Sequence, residues 1–254
     1  GAVKLAERYI DEDLLIIFVD PLFDADLSLV RKLPEGEAGV IWAKEVEDYQ
    51  RFGVIVTDED GYMKRIIEKP EDPISKLANI GLYYIRDWQQ LFAGIDETLS
   101  STKGPTGEYF LTDAFQYMID NGAKIRVERV EGWYDCGKPE TLLATNAHLL
   151  ETTRGLRPAG SRACRVEGAV RVEEGVTLQD CRIGPNVTIE EGSRVAKSTL
   201  RDSIIGRDVT VPARARVENA LVCRRLEGID YSEGIILAGE LVLTARRLGI
   251  SFGD

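Results

Sequence analysis

Trp133-Tyr134-Asp135-Cys136-Gly137-Lys138-Pro139-Glu140 is the stretch whose reading decides the fold. A β-leaning run, Ala123 to Val130, leads into it, and a helix leaves it through Thr141 to Asn146. Pro139 suits the first helical turn, where its missing N–H costs nothing and its fixed φ is already helical. Gly137 lets the chain bend sharply where strand turns to helix. Asp135 is thereby set at the carboxyl end of a strand, beside a helix N-terminus. In open α/β sheets ligands bind along that edge, and a helix N-terminus there favours phosphate. A capping aspartate in an ordinary turn would have the same sequence, so the flanking segments must decide.

Upstream, Leu14-Leu15-Ile16-Ile17-Phe18-Val19 is a continuous apolar run of strand length, the pattern of a central parallel strand covered on both faces. It ends at Asp20-Pro21, a second aspartate at a strand end. Between the two aspartates, strands and helices alternate. Gly39 to Ala43, Gly53 to Thr57 and Ala78 to Ile85 read as strands, with a turn at Asp58-Glu59-Asp60-Gly61, after which Tyr62 to Ile67 leads to Glu68-Lys69-Pro70. Asp87 is placed to cap a helix reaching about Phe92. Thr112 is placed to cap another from Asp113 to Asn121, which Gly122 ends.

The chain of 254 residues is long enough for a sizeable core and points to two domains. Its net charge of −11 is uneven: residues 1–154 carry 17 Lys and Arg against 29 Asp and Glu, the remainder 15 against 14. So acidic a first part argues against nucleic acid, whose affinity depends on Lys and Arg at phosphates. If it handles phosphates, a divalent cation must offset its carboxylates. No apolar run is long enough for a membrane span. The four cysteines (Cys136, Cys164, Cys181, Cys223) are widely spaced, with no CxxC pair, which argues against structural zinc and for reduced thiols in the cytoplasm.

These pieces together resemble the sugar-1-phosphate nucleotidyltransferases, most closely the glucose-1-phosphate thymidylyltransferase branch. The resemblance rests on Asp20 ending its strand, Phe52-Gly53-Val54, Glu68-Lys69-Pro70, Asn79-Ile80-Gly81-Leu82-Tyr83, Glu108 before Thr112-Asp113, and Trp133 to Glu140. They occur in family order over residues 1 to about 150. The resemblance implies a Rossmann-like nucleotidyltransferase domain over 1–152. It also implies attack by a sugar 1-phosphate on the α-phosphorus of a nucleoside triphosphate, giving an NDP-sugar and pyrophosphate. Positioning and charge stabilisation carry such a transfer. By the same resemblance Asp20 and Asp135 hold Mg2+ and Lys69 holds the sugar phosphate, making these three the catalytic set. Glu68 accepts hydrogen bonds from sugar hydroxyls, Gly53 lets backbone approach the sugar, and Asn79 and Tyr83 line its pocket. Thymidine and glucose are the first expectation for base and sugar, and a homo-oligomer for the assembly. Two departures stand out: Val19 and Pro21 flank Asp20, and the family's Gly-rich loop has no counterpart here. With no initiator Met, and Ala2 to Ile10 reading as half of an amphipathic helix, the sequence is expected to be an N-terminally incomplete piece, inactive alone.

The last third follows another rule. Val166, Val172, Leu178, Ile183, Ile189, Val195, Leu200, Ile205, Val211, Val217 and Val222 recur in steps of six or five, with Gly, Asn, Pro and Ser between them. Such spacing stacks short strands as a parallel β-helix and resembles the left-handed hexapeptide repeat, expected over 160–245. A sandwich would turn only every 8–12 residues. Arg171, Arg182, Arg194, Arg201 and Arg207 should point outward. A linker is expected from Thr152 to Gly160, a break in the repeat at Glu227 to Glu233, and a final capping strand from Ile235 to Leu243. Three functions fit: a nucleotidyltransferase, an acyltransferase run by the β-helix, or a non-catalytic relative that binds without reacting. The second lacks a histidine in the coils, since the only one is His148.

Overall fold

A mixed sheet organises the first half of the chain and a stack of three-sided coils the second. The computed structural model describes residues 2–101, 107–153 and 164–223, with the backbone of short strands at 235–238, 241–244 and 251–252. Two units result, Gly1–Trp133 and Tyr134–Asp254. The expected linker beyond residue 153, most of the loop from Ser100 to Gly107 and the expected break at Glu227 to Glu233 lie outside the described residues.

The first unit begins with helix α1 (Ala2–Ala6), β1 (Leu14–Ile17) and β2 (Pro21–Asp24). Next come β3 (Gly39–Glu45), β4 (Gly53–Thr57), β5 (Met63–Glu68) and β6 (Leu77–Ile85). Helices α2 (Trp88–Ser100) and α3 (Leu111–Asp120) follow, then β7 (Ile125–Arg129) and β8 (Gly132–Asp135), the strand in which the unit boundary falls. The sheet runs β5-β4-β6-β3-β7, with β1 also on β6. Only β3 and β7 are parallel; the other pairings are antiparallel. One face packs Ile41, Ile55 and Ile85 under Leu91 and Phe92 of α2 and Phe115 and Met118 of α3. The opposite face buries Val40, Trp42, Ile80 and Leu82. Each such side chain contributes roughly 1.5–3 kcal/mol. At the start of β3 the buried Glu37 carboxylate accepts from Tyr62 Oη at 2.7 Å and from Arg126 Nε at 2.9 Å.

Three expectations are corrected. Leu14 to Val19 is not a central parallel strand: β1 stops at Ile17 and runs antiparallel to β6. Leu14 and Ile16 pack toward the helices while Leu15, Ile17, Phe18 and Val19 are exposed. The strands covered on both faces are β3 and β6. Thr112 caps no helix; Phe110 stands at the N-cap of α3 and Thr112 is buried within the first turn. Asp87 does cap α2, accepting the Gln90 N–H at 3.1 Å, but the helix passes Phe92 to reach Ser100. A Cβ on Gly94 would stand 2.8 Å from the Ala114 carbonyl oxygen, so this glycine lets α2 and α3 approach.

In the second unit α4 (Pro139–Thr152) starts at Pro139, as expected. Three strands per coil then follow: β9 (Arg165–Val166), β10 (Val170–Val172), β11 (Thr177–Gln179), β12 (Arg182–Ile183), β13 (Val187–Ile189) and β14 (Arg194–Ala196). The stack continues with β15 (Thr199–Arg201), β16 (Ser203–Ile205), β17 (Val209–Val211), β18 (Arg216–Glu218) and β19 (Ala220–Cys223). Every third strand pairs in parallel, making three sheets. Thr177 pairs with Arg194 and Val187 with Ser203, so a coil takes 17 or 16 residues. This is a parallel-strand β-solenoid, consistent with the expected left-handed β-helix. Of the eleven expected aliphatics all are buried except Val166, which is half-buried, and the five arginines point outward. At the corners Asn186, Asp202 and Asn219 recur in register with φ of 58°, 45° and 49°, a region that Asn and Asp tolerate better than most residues. Helix α4 lies on one sheet of the solenoid. Asn146 donates to the Asn186 carbonyl at 3.3 Å and accepts from Thr188 at 2.6 Å, and Leu142 packs on Leu221. The final strand expected over Ile235 to Leu243 is two antiparallel strands, β20 (Ile235–Ala238) and β21 (Leu241–Thr244). A last strand, β22 (Ser251–Phe252), pairs with β17.

Candidate functional site

The antiparallel pairing of β4 with β5 sets Gly53 directly opposite Glu68, and β6 brings Asn79 alongside. A Cβ on Gly53 would stand 2.8 Å from Thr112 Cγ2, 2.9 Å from Glu68 Oε2 and 3.4 Å from Asn79 Nδ2. Four residues from three strands and a helix therefore converge on one point. Thr112 Oγ1 donates to Glu68 Oε2 at 3.3 Å. Asn79 is held from the other side, its Oδ1 accepting the Gly81 N–H at 3.0 Å.

Electrostatics follow from this crowding. Burial pushes the Glu68 carboxyl above the usual carboxylate range, aided by the charges of Asp113 and Glu108 and opposed by Thr112 and Lys69. Asp113 is raised for the same reason, burial. Lys69 follows Glu68 with a φ of 45°, a left-handed conformation unusual outside glycine. Its N–H donates to the Phe52 carbonyl at 2.9 Å, and its exposed ammonium lies 5.3 Å from the Phe110 ring centre.

Tyr83 belongs to the core as much as to the site. Its ring packs between Phe18, at 5.7 Å, and Phe115, at 4.8 Å. Its hydroxyl is buried beside Asn79 with no hydrogen bond of good geometry among the described residues, and burial pushes it well above the usual phenol range. Trp133 Nε1 is likewise buried without a partner among the described residues, and its ring meets Phe52 edge-on at 5.0 Å. Sequence reasoning missed the roles of Thr112, Phe52 and Trp133. For Thr112 the signal was its helical spacing with Phe115, which places both on the buried face.

Asp20 lies two residues beyond Phe18, whose N–H donates to the Gly81 carbonyl at 2.8 Å, and is itself exposed. Asp135 ends β8 at the start of the second unit, where its Oδ1 accepts the Gly137 N–H at 2.9 Å. The two aspartates thus belong to different units. Among the described residues no group of three or more His, Cys, Asp or Glu is gathered to hold a metal, and no helix is long and apolar enough to cross a membrane.

The fold and site together define a nucleotidyltransferase-type α/β domain continued by a β-solenoid. The chain belongs to the nucleotidyl transferase family, whose model matches residues 1–152. It is 33% identical over 180 residues to the bifunctional protein GlmU of Methanococcus aeolicus, covering 70% of this chain and 42% of that protein. It is 28% identical over 250 residues to a glucose-1-phosphate thymidylyltransferase of Streptomyces antibioticus, covering 89% of this chain and 68% of the relative. A crystal structure of a Bacillus anthracis protein named as a glucose-1-phosphate thymidylyltransferase, in complex with a sucrose, is similar in fold. Its TM-score is 0.50 at 25% identity, over 62% of this chain and 61% of that one. The chain spans less than half the length of the first relatives it matches, between 41% and 48%.

Proposed function

We propose that the first unit binds a sugar 1-phosphate for nucleotidyl transfer, in a homo-oligomer that makes an NDP-sugar and pyrophosphate. A thymidine nucleotide and glucose are the first choice of base and sugar. The carrying observation is the convergence of Gly53, Glu68, Asn79 and Thr112, with the buried hydroxyl of Tyr83 beside Asn79. A sugar ring suits such a place because its hydroxyls offer donors and acceptors along one edge, to meet the Glu68 carboxylate and the Asn79 amide. Glu68 accepts from sugar hydroxyls, and the buried Tyr83 lines the pocket from behind Asn79. Lys69 supplies the positive charge for the phosphate, as a point charge that needs no fixed orientation.

A divalent cation, Mg2+ by chemical class, suits aspartate oxygens of the kind that Asp20 and Asp135 present at the ends of their segments. Each is a candidate ligand within its own unit, and a bound cation would neutralise charge on the phosphates. The chain's own residues do the positioning: Lys69 fixes the phosphate, and Glu68 with Asn79 fixes the ring that carries it. The nucleophilic phosphate oxygen is thereby directed, and orientation is a large share of catalysis in such a transfer.

Isothermal titration with glucose 1-phosphate tests this reading, with glucose and inorganic phosphate as controls. Lys69→Ala should weaken glucose 1-phosphate binding roughly ten- to hundredfold, the worth of a hydrogen bond to a charged group, and leave the binding of glucose unchanged. Equal affinity of the two proteins for glucose 1-phosphate would remove Lys69 from the site.

A further inference from the structure

Two cysteines face each other in the first two coils of the solenoid. Cys164 and Cys181 lie one coil apart, immediately before the paired strands in which Arg165 meets Arg182 and Val166 meets Ile183. Their Sγ atoms are 2.9 Å apart. The Cys181 N–H donates to Cys164 Sγ at 3.4 Å, and the Cys181 thiol donates to the Val195 carbonyl at 3.4 Å. The column continues through Ser198 and Ala215, so sulfur meets sulfur only between the first two coils. Neighbouring strands are about 4.7–4.9 Å apart, within the roughly 4.4–6.8 Å between Cα atoms that a disulfide spans. No coil has to move for the bond to form.

We propose that Cys164 and Cys181 are a modification site, forming a reversible disulfide that staples the first coil to the second. The oxidant is a low-molecular-weight disulfide, RSSR, such as oxidised glutathione. The half-buried Cys164 sulfur, as thiolate, attacks one sulfur of RSSR and expels RS⁻, which takes up the proton that Cys164 gave up. Cys181 Sγ then attacks the Cys164 sulfur of the mixed disulfide and expels the second RS⁻, which is protonated in turn. Two protein thiols are oxidised to one disulfide, and RSSR is reduced to two RSH. Burial, then the contact with Cys164, pushes the Cys181 thiol up to about 12. A thiol so rarely ionised is a poor first nucleophile, so the order of the two steps follows from exposure. In a reducing compartment both remain thiols, as they are in this structure.

Mass spectrometry of the whole chain tests the proposal after equilibration in a buffer of reduced and oxidised glutathione and alkylation of the remaining thiols. Trypsin should release Ala163–Arg165 linked to Val172–Arg182. The linked pair should exceed the glutathione adduct of Cys164 by about tenfold or more, because the second thiol is already in place. Dithiothreitol should return both peptides to thiols. Cys164→Ser should leave Cys181 alkylated, with no glutathione adduct. Recovery of both cysteines as alkylated thiols, or as separate glutathione adducts, would overturn the proposal. The primary measurement uses the unsubstituted chain, so it stands whether or not the variant folds.

Discussion

Replacing Gly53 with alanine probes the convergence point of the candidate site directly. The added methyl would stand 2.8 Å from Thr112 Cγ2 and 2.9 Å from Glu68 Oε2. The Glu68 carboxylate is the end of a flexible side chain and can turn aside, but Thr112 is buried in the first turn of α3, with only 3% of its surface exposed, and cannot. Gly53 is not among the residues with positive φ, so alanine strains no dihedral and the cost is one of space. Overpacking of this kind costs about 1–3 kcal/mol, offset by about 0.4–1 kcal/mol from the stiffer unfolded chain. A net destabilisation of about 1–2 kcal/mol is expected, read as a lower urea midpoint at unchanged slope. Adding Thr112→Ser removes Cγ2 and keeps the hydroxyl on Glu68, so the double variant should recover much of the loss, with a coupling of about 0.5–2 kcal/mol. A Gly53→Ala chain as stable as the parent would refute the close approach. A double variant that recovers nothing would refute Thr112 as its cause.

Glu37→Gln should destabilise the first unit by about 1–3 kcal/mol, less than for a fully buried pair because Arg126 keeps 29% of its side chain exposed. Burial alone would raise the Glu37 carboxyl, but the bonds from Arg126 and Tyr62 prevail and lower it. Its contribution is therefore present above the unfolded carboxylate value and lost as pH falls through the lower folded one. Urea midpoints of parent and variant should differ at neutral pH and converge in acid; a constant difference would contradict this. Ile183→Ala, at a fully buried position of the solenoid, should cost about 2–5 kcal/mol, measured by unfolding of the second unit. A loss below about 1 kcal/mol would mean that the interior is not close-packed there.

The solenoid was the most legible part of the sequence, because a coil repeats its inward positions and one pattern is read eleven times over from Val166 to Val222. The strand-to-helix turn at Asp135 to Pro139 was legible because Gly137 and Pro139 have few other uses. Leu14 to Val19 was misread because an apolar run reports side chains, not the direction of the partner strand or the cover on either face. Thr112 was misread because a threonine ahead of a helical run favours a cap only when it stays outside. Here Leu111 and Thr112 already make the first turn, and the hydroxyl turns to Glu68 instead. The motif residues Gly53, Glu68 and Asn79 were visible as positions, but their convergence was not. It depends on the β4–β5–β6 pairing, which brings together residues up to 26 positions apart.

The stacking of coils in register makes the second unit a one-dimensional object. Within the stack each coil pairs in parallel only with the coil before and the coil after, so stability accrues largely rung by rung. Length is then a quantised property. Inserting or removing a whole coil of about 17 residues would lengthen or shorten the stack and keep each aliphatic inside and each arginine outside. A change of one residue would instead swap the faces of every position up to the next corner. Evolution can therefore adjust the reach of this unit in steps of one rung, about 4.8 Å each, while leaving its cross-section untouched.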